Sequence, residues 1–282
     1  MPTIFDGTNG LTFNDGTQMG SANSLGMRNV VFNGDFRVNQ RIYVSGAVLA
    51  AGVYGHDRFK AGASGGDYSF TQLNSSTQIT IASGKSLIQV VEDKNVSGGS
   101  YILSWVGTAL GRVGVNTATP AGIFVVSPIL ITGQTAGTTM SFELNAGTVN
   151  TVQLEQGSVA TPFERRPIGL ELALCQRYFQ KTYDQTVAPG AITALGALYR
   201  SADAVSNYFS FEWQFPVSMR TAPACILFNP STGGTGSFSS DASAVPAGVT
   251  NTSTRNAVFR ANNSQINTNS FVSAQATASA EL

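Results

Sequence analysis

The stretch VYGHDRFK at 53–60 holds the only histidine of the chain, His56, beside Asp57. A histidine next to a carboxylate can be half of a proton relay, yet covalent catalysis needs a nucleophile, a base and an orienting group converging on one point. No residue in the sequence stands out as the third member. Asp57 and Arg58 read more simply as a pair or a turn cap, with Phe59 turned inward. A glycosidase needs two carboxylates facing each other across a cleft, and the candidates are Asp57, Asp67, Glu92, Asp93, Glu143 and Asp203. Sequence does not set their separation. Asp35 and Glu155 could share a calcium ion with backbone carbonyls if strand pairing brought them together, but no further ligands are evident. One histidine and two cysteines, Cys175 and Cys225, are too few for an ordinary zinc site. The glycines lie in turns between strands, outside the strand-loop-helix setting of a phosphate-binding loop. The expectation is therefore no enzyme, no catalytic residue, no metal and no cofactor. Tyr54, His56 and Asp57 bring two rings and a carboxylate within four positions and are the candidate binding residues of this stretch.

The elements that must position these residues are mostly strands. Between 28 and 160 the short apolar or alternating runs Val30–Phe32, Tyr68–Leu73, Gln78–Ile81, Leu87–Val91, Tyr101–Val106, Ile123–Val126, Ile129–Thr132, Thr139–Leu144 and Val149–Glu155 are separated by Gly-, Ser- and Asn-rich turns. Many short strands at this spacing read as a sandwich or jelly roll. Tyr101, Leu103 and Trp105 share one face, and Met140, Phe142 and Leu144 share another; both are core faces, and Trp105 reads as packed tryptophan in preference to a sugar platform. The period changes after Pro167. Ile168, Leu172, Cys175 and Phe179 recur at helical spacing, with Glu171 near the start and Arg177 and Lys181 near the end, which predicts a connecting helix over 166–182. Beyond it, Phe209, Phe211, Trp213 and Phe215 alternate with polar residues, the clearest period-2 run in the chain. Cys225 and Leu227 mark the next strand, and Val258–Phe259 and Phe271–Val272 two more. The Gly-, Ser- and Thr-rich stretch 229–256 reads as a long exposed loop or pair of turns, and the tail from Ser273 as a final edge strand.

The fold class expected is thus all-β: a jelly-roll sandwich at 28–165, one connecting helix at 166–182 and a second sandwich at 183–282. Residues 1–27 carry Ile4, Phe5, Leu11 and Phe13 between Asp-Gly turns. Too short to bury these alone, they read as an attachment segment. At 282 residues the chain can bury about two cores. Lysine plus arginine equals aspartate plus glutamate, 16 each, which removes the basic footprint of a nucleic-acid binder. With 11% charged residues the surface is solvated by Ser, Thr, Asn and Gln, and low charge favours contact between copies. The N-terminus lacks the pattern of a secretory signal, and no apolar run is long enough for a membrane-spanning helix. Two cysteines make no disulfide framework and read as buried free thiols.

Particular motifs carry a resemblance. VQLEQG, ATPFERR and ELALCQRY, within 152–178, together resemble a segment of tail-fibre and other appendage proteins of tailed bacteriophages, where the strand closes a jelly roll similar to carbohydrate-binding modules. FNDGTQM at 13–19 resembles a fibre-type repeat, NVVFNGDFRVNQR at 29–41 the opening strand of that domain, and FPVSMRTAP at 215–223 a strand of the C-terminal domain. Related sequences often carry tryptophan where this one has His56, so a pocket there need not be shared. The resemblance implies a virion component assembled in the host cytoplasm, a homotrimer joined to other virion proteins through residues 1–27. It also implies adhesion to host-surface glycans, with Tyr54, His56 and Asp57 as candidate sugar contacts, while the charge balance and the short apolar runs speak against nucleic acid and membrane insertion. The alternatives are a purely structural head, neck or tail appendage and a glycan-cleaving enzyme or its accessory module.

Overall fold

The computed structural model describes residues 27–201, 208–240, 244–262 and 271–282, and of the first 26 residues only the backbone of three short strands. The regular elements are nearly all strands, with one α-helix among the described residues. It divides into two compact units, one made of Met1–Arg37, Val44–Val53 and Phe59–Pro167, the other of Val38–Tyr43, Tyr54–Arg58 and Ile168–Leu282. The division differs from the sequence expectation in two ways. The helix falls inside the second unit, and two short pieces of the 28–165 stretch fall there too.

The first unit opens with β1 (Ile4–Asp6), β2 (Gly10–Thr12) and β3 (Gln18–Met19), an antiparallel sheet in that order; Phe13 lies outside the described residues. The jelly roll follows. Its strands are β4 (Lys60–Ala61), β5 (Tyr68–Gln72), β6 (Thr77–Ile81), β7 (Leu87–Val91), β8 (Gly99–Val106), β9 (Gly111–Gly114), β10 (Ala121–Val125), β11 (Ile129–Gln134), β12 (Met140–Leu144) and β13 (Gly147–Gln156). They form two five-stranded sheets, β10-β9-β12-β7-β4 and β11-β8-β13-β6-β5, antiparallel throughout. Met140, Phe142 and Leu144 on one sheet and Tyr101, Leu103 and Trp105 on the other are buried as the alternation requires. Trp105 donates its indole N–H to the Ala109 carbonyl at 2.9 Å, a packed tryptophan with its polar edge satisfied. Gly111 lets β9 pass this ring, since a Cβ there would meet Trp105 Cη2 at 2.6 Å.

Val30–Phe32 is not a regular strand. Val30 N–H reaches the Leu154 carbonyl, but side-chain amides replace the rest of the ladder. Asn29 Oδ1 accepts from Val31 and Leu154, and Gln89 exchanges both hydrogen bonds with the Phe32 backbone. Asn33 and Phe36, at φ 60° and 53°, then turn the chain out of any β register. Asp35 and Glu155 are not brought to one ion. Asp35 pairs with Arg37 at 2.5 Å, whereas Glu155 accepts from Thr161 and pairs with Arg28 at 3.4 Å.

The second unit comprises α1 (Ile168–Gln176), β14 (Phe179–Lys181), β15 (Leu198–Ser201), β16 (Tyr208–Gln214), β17 (Ala224–Phe228), β18 (Ser237–Ser240), β19 (Ala244–Thr252), β20 (Asn256–Asn262) and β21 (Phe271–Ser279). α1 is shorter than the helical spacing predicts. Phe179 and Lys181 leave it to pair with Ser279 and Thr277 on β21, and of the helix only Glu171 and Cys175 are buried. The sheet runs β14-β21-β18-β19-β20-β16, with β15 and β17 also on β21. Two expectations are corrected here. The stretch 229–256 is a hairpin, with Phe238 opposite Val245 and both fully buried. The tail is no edge strand, because β21 pairs with β14, β15, β17 and β18. Ala274, Ala276, Ala278 and Ala280 turn inward with Val272, and their small side chains leave room for Phe209, Phe211, Trp213, Phe215, Phe238 and Phe259 in one core. Edge-to-face contacts link Phe211 to Phe238 at 4.9 Å and Trp213 to Phe215 at 4.9 Å.

Both thiols are free, Cys175 buried and Cys225 half-buried. Burial raises the Cys175 thiol well above its ordinary range and pushes Cys225 up to about 11. At pH 8 roughly one Cys225 thiol in a thousand is ionised. Ellman's reagent should therefore label the folded protein slowly and both cysteines at once in urea. Rapid native labelling of one equivalent would show that Cys225 is more open than this.

Candidate functional site

Tyr54, His56 and Asp57 lie inside the second unit. Asp57 is 0% and His56 3% exposed. Asp57 accepts from Gln40 N–H at 2.6 Å and Gln40 Nε2 at 2.9 Å, with Arg41 at 3.4 Å, so it caps residues 40–41. The Tyr54 hydroxyl donates to the Leu282 carbonyl, and burial, then the Glu281 carboxylate, raises its pKa. Arg58 is 2% exposed, lies 3.5 Å from the Tyr178 ring centroid and pairs with Glu281. Phe59 is fully buried in the first unit against Phe36, at a ring-centroid distance of 4.3 Å. A sugar needs contact groups open to solvent. Tyr54 and Asp57 instead spend their polar atoms within the unit, and His56 is buried.

An open polar pocket of about 290 Å³ lies in the first unit, on the outward face of the sheet that carries β12. Register builds it. Glu143 on β12 stands opposite Arg112 on β9 and Ile88 on β7. Alternation aims Phe142 into the core and therefore Glu143 outward. Glu143 Oε2 accepts from Arg112 Nε at 2.7 Å and lies 2.6 Å from Nη2, while Oε1 accepts from Ser86 Oγ at 2.6 Å. The Arg112 guanidinium lies 4.6 Å from the centroid of the Phe124 ring, contributed by β10. Asn145 Oδ1 accepts from Leu110 N–H at 2.8 Å, leaving its amide NH₂ to a ligand. Lys85 closes the rim, donating to the Ser64 carbonyl at 2.9 Å and pairing with Asp67 at 3.4 Å. The Leu49 N–H and the Lys85 ammonium hold the Asp67 carboxyl below its ordinary range. Gly62 packs against the buried Ser86–Glu143 contact, where a Cβ would lie 2.0 Å from Ser86 Oγ and 2.9 Å from Glu143 Oε1.

The pocket thus offers one aromatic ring, a fixed arginine–carboxylate pair and several donors, with Lys85 and Arg112 balanced by Asp67 and Glu143. That is chemistry for an uncharged polyhydroxylated ligand: the partly exposed Arg112 and Lys85 can donate to hydroxyls while the ring covers an apolar sugar face, with Glu143 buried behind them to hold the arginine. Of the six carboxylates considered for glycoside cleavage, Glu143 alone is among the residues lining the pocket, and Asp203 lies outside the described residues. Among the described residues no group of three metal-capable side chains occurs. Sequence reasoning passed over this site because Lys85, Arg112, Phe124 and Asn145 belong to separate elements. The one available signal was a carboxylate in the middle of MSFEL.

No protein-family model matches the chain, and no curated protein matches it in sequence. Two solved structures are weakly similar. Discoidin II of Dictyostelium discoideum is 9% identical over 76% of this chain and 81% of that one, with a TM-score of 0.19. A conserved protein of unknown function from Pseudomonas aeruginosa PAO1 is 10% identical over 76% and 95%, with a TM-score of 0.16. Likeness this slight bears on neither fold nor function.

Proposed function

We propose that this chain is a structural protein of a tailed-phage appendage that adheres to host-surface glycans, and that it acts without catalysis. The observation that carries the adhesive part is the Phe124–Arg112–Glu143–Ser86 arrangement in an open pocket. The virion setting rests on the sequence resemblance, with residues 1–27 docking on other virion proteins and the chain acting as a homotrimer. Several copies on one fibre turn weak, individually short-lived sugar contacts into useful attachment through effective concentration. Glu143, 5% exposed with both oxygens engaged by Arg112 and Ser86, fixes the arginine, and Asp67 at the rim is tied to Lys85, so both carboxylates read as positioning groups and not as the acid and nucleophile of hydrolysis.

A glycan array with the intact protein, followed by titration of the best neutral oligosaccharide, tests the reading. Phe124→Ala should weaken binding roughly tenfold while leaving the melting temperature of the protein nearly unchanged, and Glu143→Gln, which breaks a buried ion pair, should lower both binding and melting temperature. An array with no signal would favour an appendage that is structural only. Release of reducing ends from the bound glycan would overturn the non-catalytic assignment.

A further inference from the structure

We infer that the β10–β11 side of the jelly roll is the surface on which a second copy of this chain docks. The inference deepens the self-association proposed above and is independent of the pocket's ligand. β10 and β11 are the outermost strands of their two sheets on the same consecutive stretch of chain. The opposite edges are already covered. Gly52 N–H and the Val53 carbonyl bond to Ala61 of β4, Gly46 N–H bonds to the Tyr68 carbonyl of β5, and Phe70 N–H reaches Ser45 Oγ. On the β10–β11 side Asn116 bonds Gly133 and Thr135 at the far end of β11, and Arg112 of the neighbouring β9 reaches the Gly122 carbonyl of β10 at 3.4 Å.

The side chains of this open edge are apolar and turned to solvent. Ile123 is 82%, Val126 69% and Leu130 53% exposed. Proteins ordinarily blunt such an edge with lysine or an inward charge. This one does the reverse: Val113 to Phe142, the longest uncharged run in the chain, contains no Asp, Glu, Lys, Arg or His. Charge neutrality is what selects the occupant. In a symmetric assembly the same patch recurs on both sides of the contact or beside it, so a charged patch would meet its own sign. A neutral apolar patch is its own complement, and interface cores are depleted in charge for this reason. A membrane or an acidic partner would call for basic residues, and none are present along the run.

Sedimentation velocity on the full chain across a dilution series tests this. The unaltered protein should sediment as an oligomer at micromolar concentration. The double variant Ile123→Lys, Leu130→Lys should associate roughly 100-fold more weakly and melt like the monomeric parent, since both residues are exposed in the single chain. A double variant that assembles as before overturns this face and leaves association itself standing. An unaltered chain that is monomeric overturns both, without touching glycan binding, which the pocket variants measure separately. Should the lysine variant be insoluble, amide hydrogen exchange over 121–132 in the unaltered chain decides. Protection that rises with protein concentration supports the face, and protection independent of concentration sinks it.

Discussion

Replacing Glu281 by alanine should cost the second unit about 3–5 kcal/mol, because it strands a buried cation. Glu281 is the carboxylate of Arg58, which is 2% exposed and stacked on Tyr178, and of Arg41, whose Nη2 lies 3.1 Å away. An arginine cannot shed its proton to escape burial, so the whole desolvation penalty reappears when the partner is removed. Arg58 also sits at φ 71°, a left-handed conformation that a bulky residue keeps only when its surroundings fix it. Arg41→Ala should cost less, about 1–3 kcal/mol, since it leaves the Arg58–Glu281 pair intact but takes a cation from the buried Asp57 carboxylate, which keeps its Gln40 donors. Urea unfolding of both variants, with Arg58→Ala added to complete a double-mutant cycle, measures the difference. Equal losses for Glu281→Ala and Arg41→Ala would mean that the pair is solvated and that the unit is held elsewhere.

That network also marks where the sequence stops being readable. Tyr54, Asp57 and Arg58 drew notice as a compact polar motif, yet their partners, Gln40, Tyr178, Glu281 and Leu282, lie up to 228 positions away. No local pattern records such closure. Strands with strong alternation were legible: Phe209, Phe211, Trp213 and Phe215 face one core, as do Met140, Phe142 and Leu144. β9 was not, since glycines open and close it, and the space for Gly111 is set by Trp105 on another sheet. β21 alternates just as strictly, but its inward residues are mainly alanines, whose hydrophobicity is too slight to signal a central strand. The tryptophan-or-platform question at Trp105 was settled by its packing, as its strand neighbours implied. The pocket around Glu143 was invisible because each contributor is ordinary alone and significant only through register.

Acidification from pH 7 to pH 4 should remove about 3 kcal/mol of folding stability through His56. Burial holds this imidazole neutral, lowering its pKa from 6.5 to about 4. Between those values the unfolded chain binds a proton that the folded chain refuses. Stability from this group is therefore complete above pH 6.5 and falls steadily as the pH drops toward 4, where the folded form begins to protonate as well. At about 1.36 kcal/mol per pH unit the loss comes to roughly 3 kcal/mol. Asp57 acts in the opposite sense. Burial raises its pKa, against Arg41 and the Gln40 donors, so its folded form takes up a proton more readily than the unfolded chain and gains stability as the pH falls. The drop in the unaltered protein is accordingly smaller than the His56 contribution alone. His56→Gln isolates that contribution: urea unfolding at pH 7 and pH 4.5 should show the variant losing less than the parent, with Asp57 common to both. Because His56 is the only histidine, its ring protons give one unambiguous NMR signal, which should titrate near pH 4 in the folded chain. A signal titrating near 6.5, or stability curves that run parallel with pH, would show that the ring is hydrated in solution.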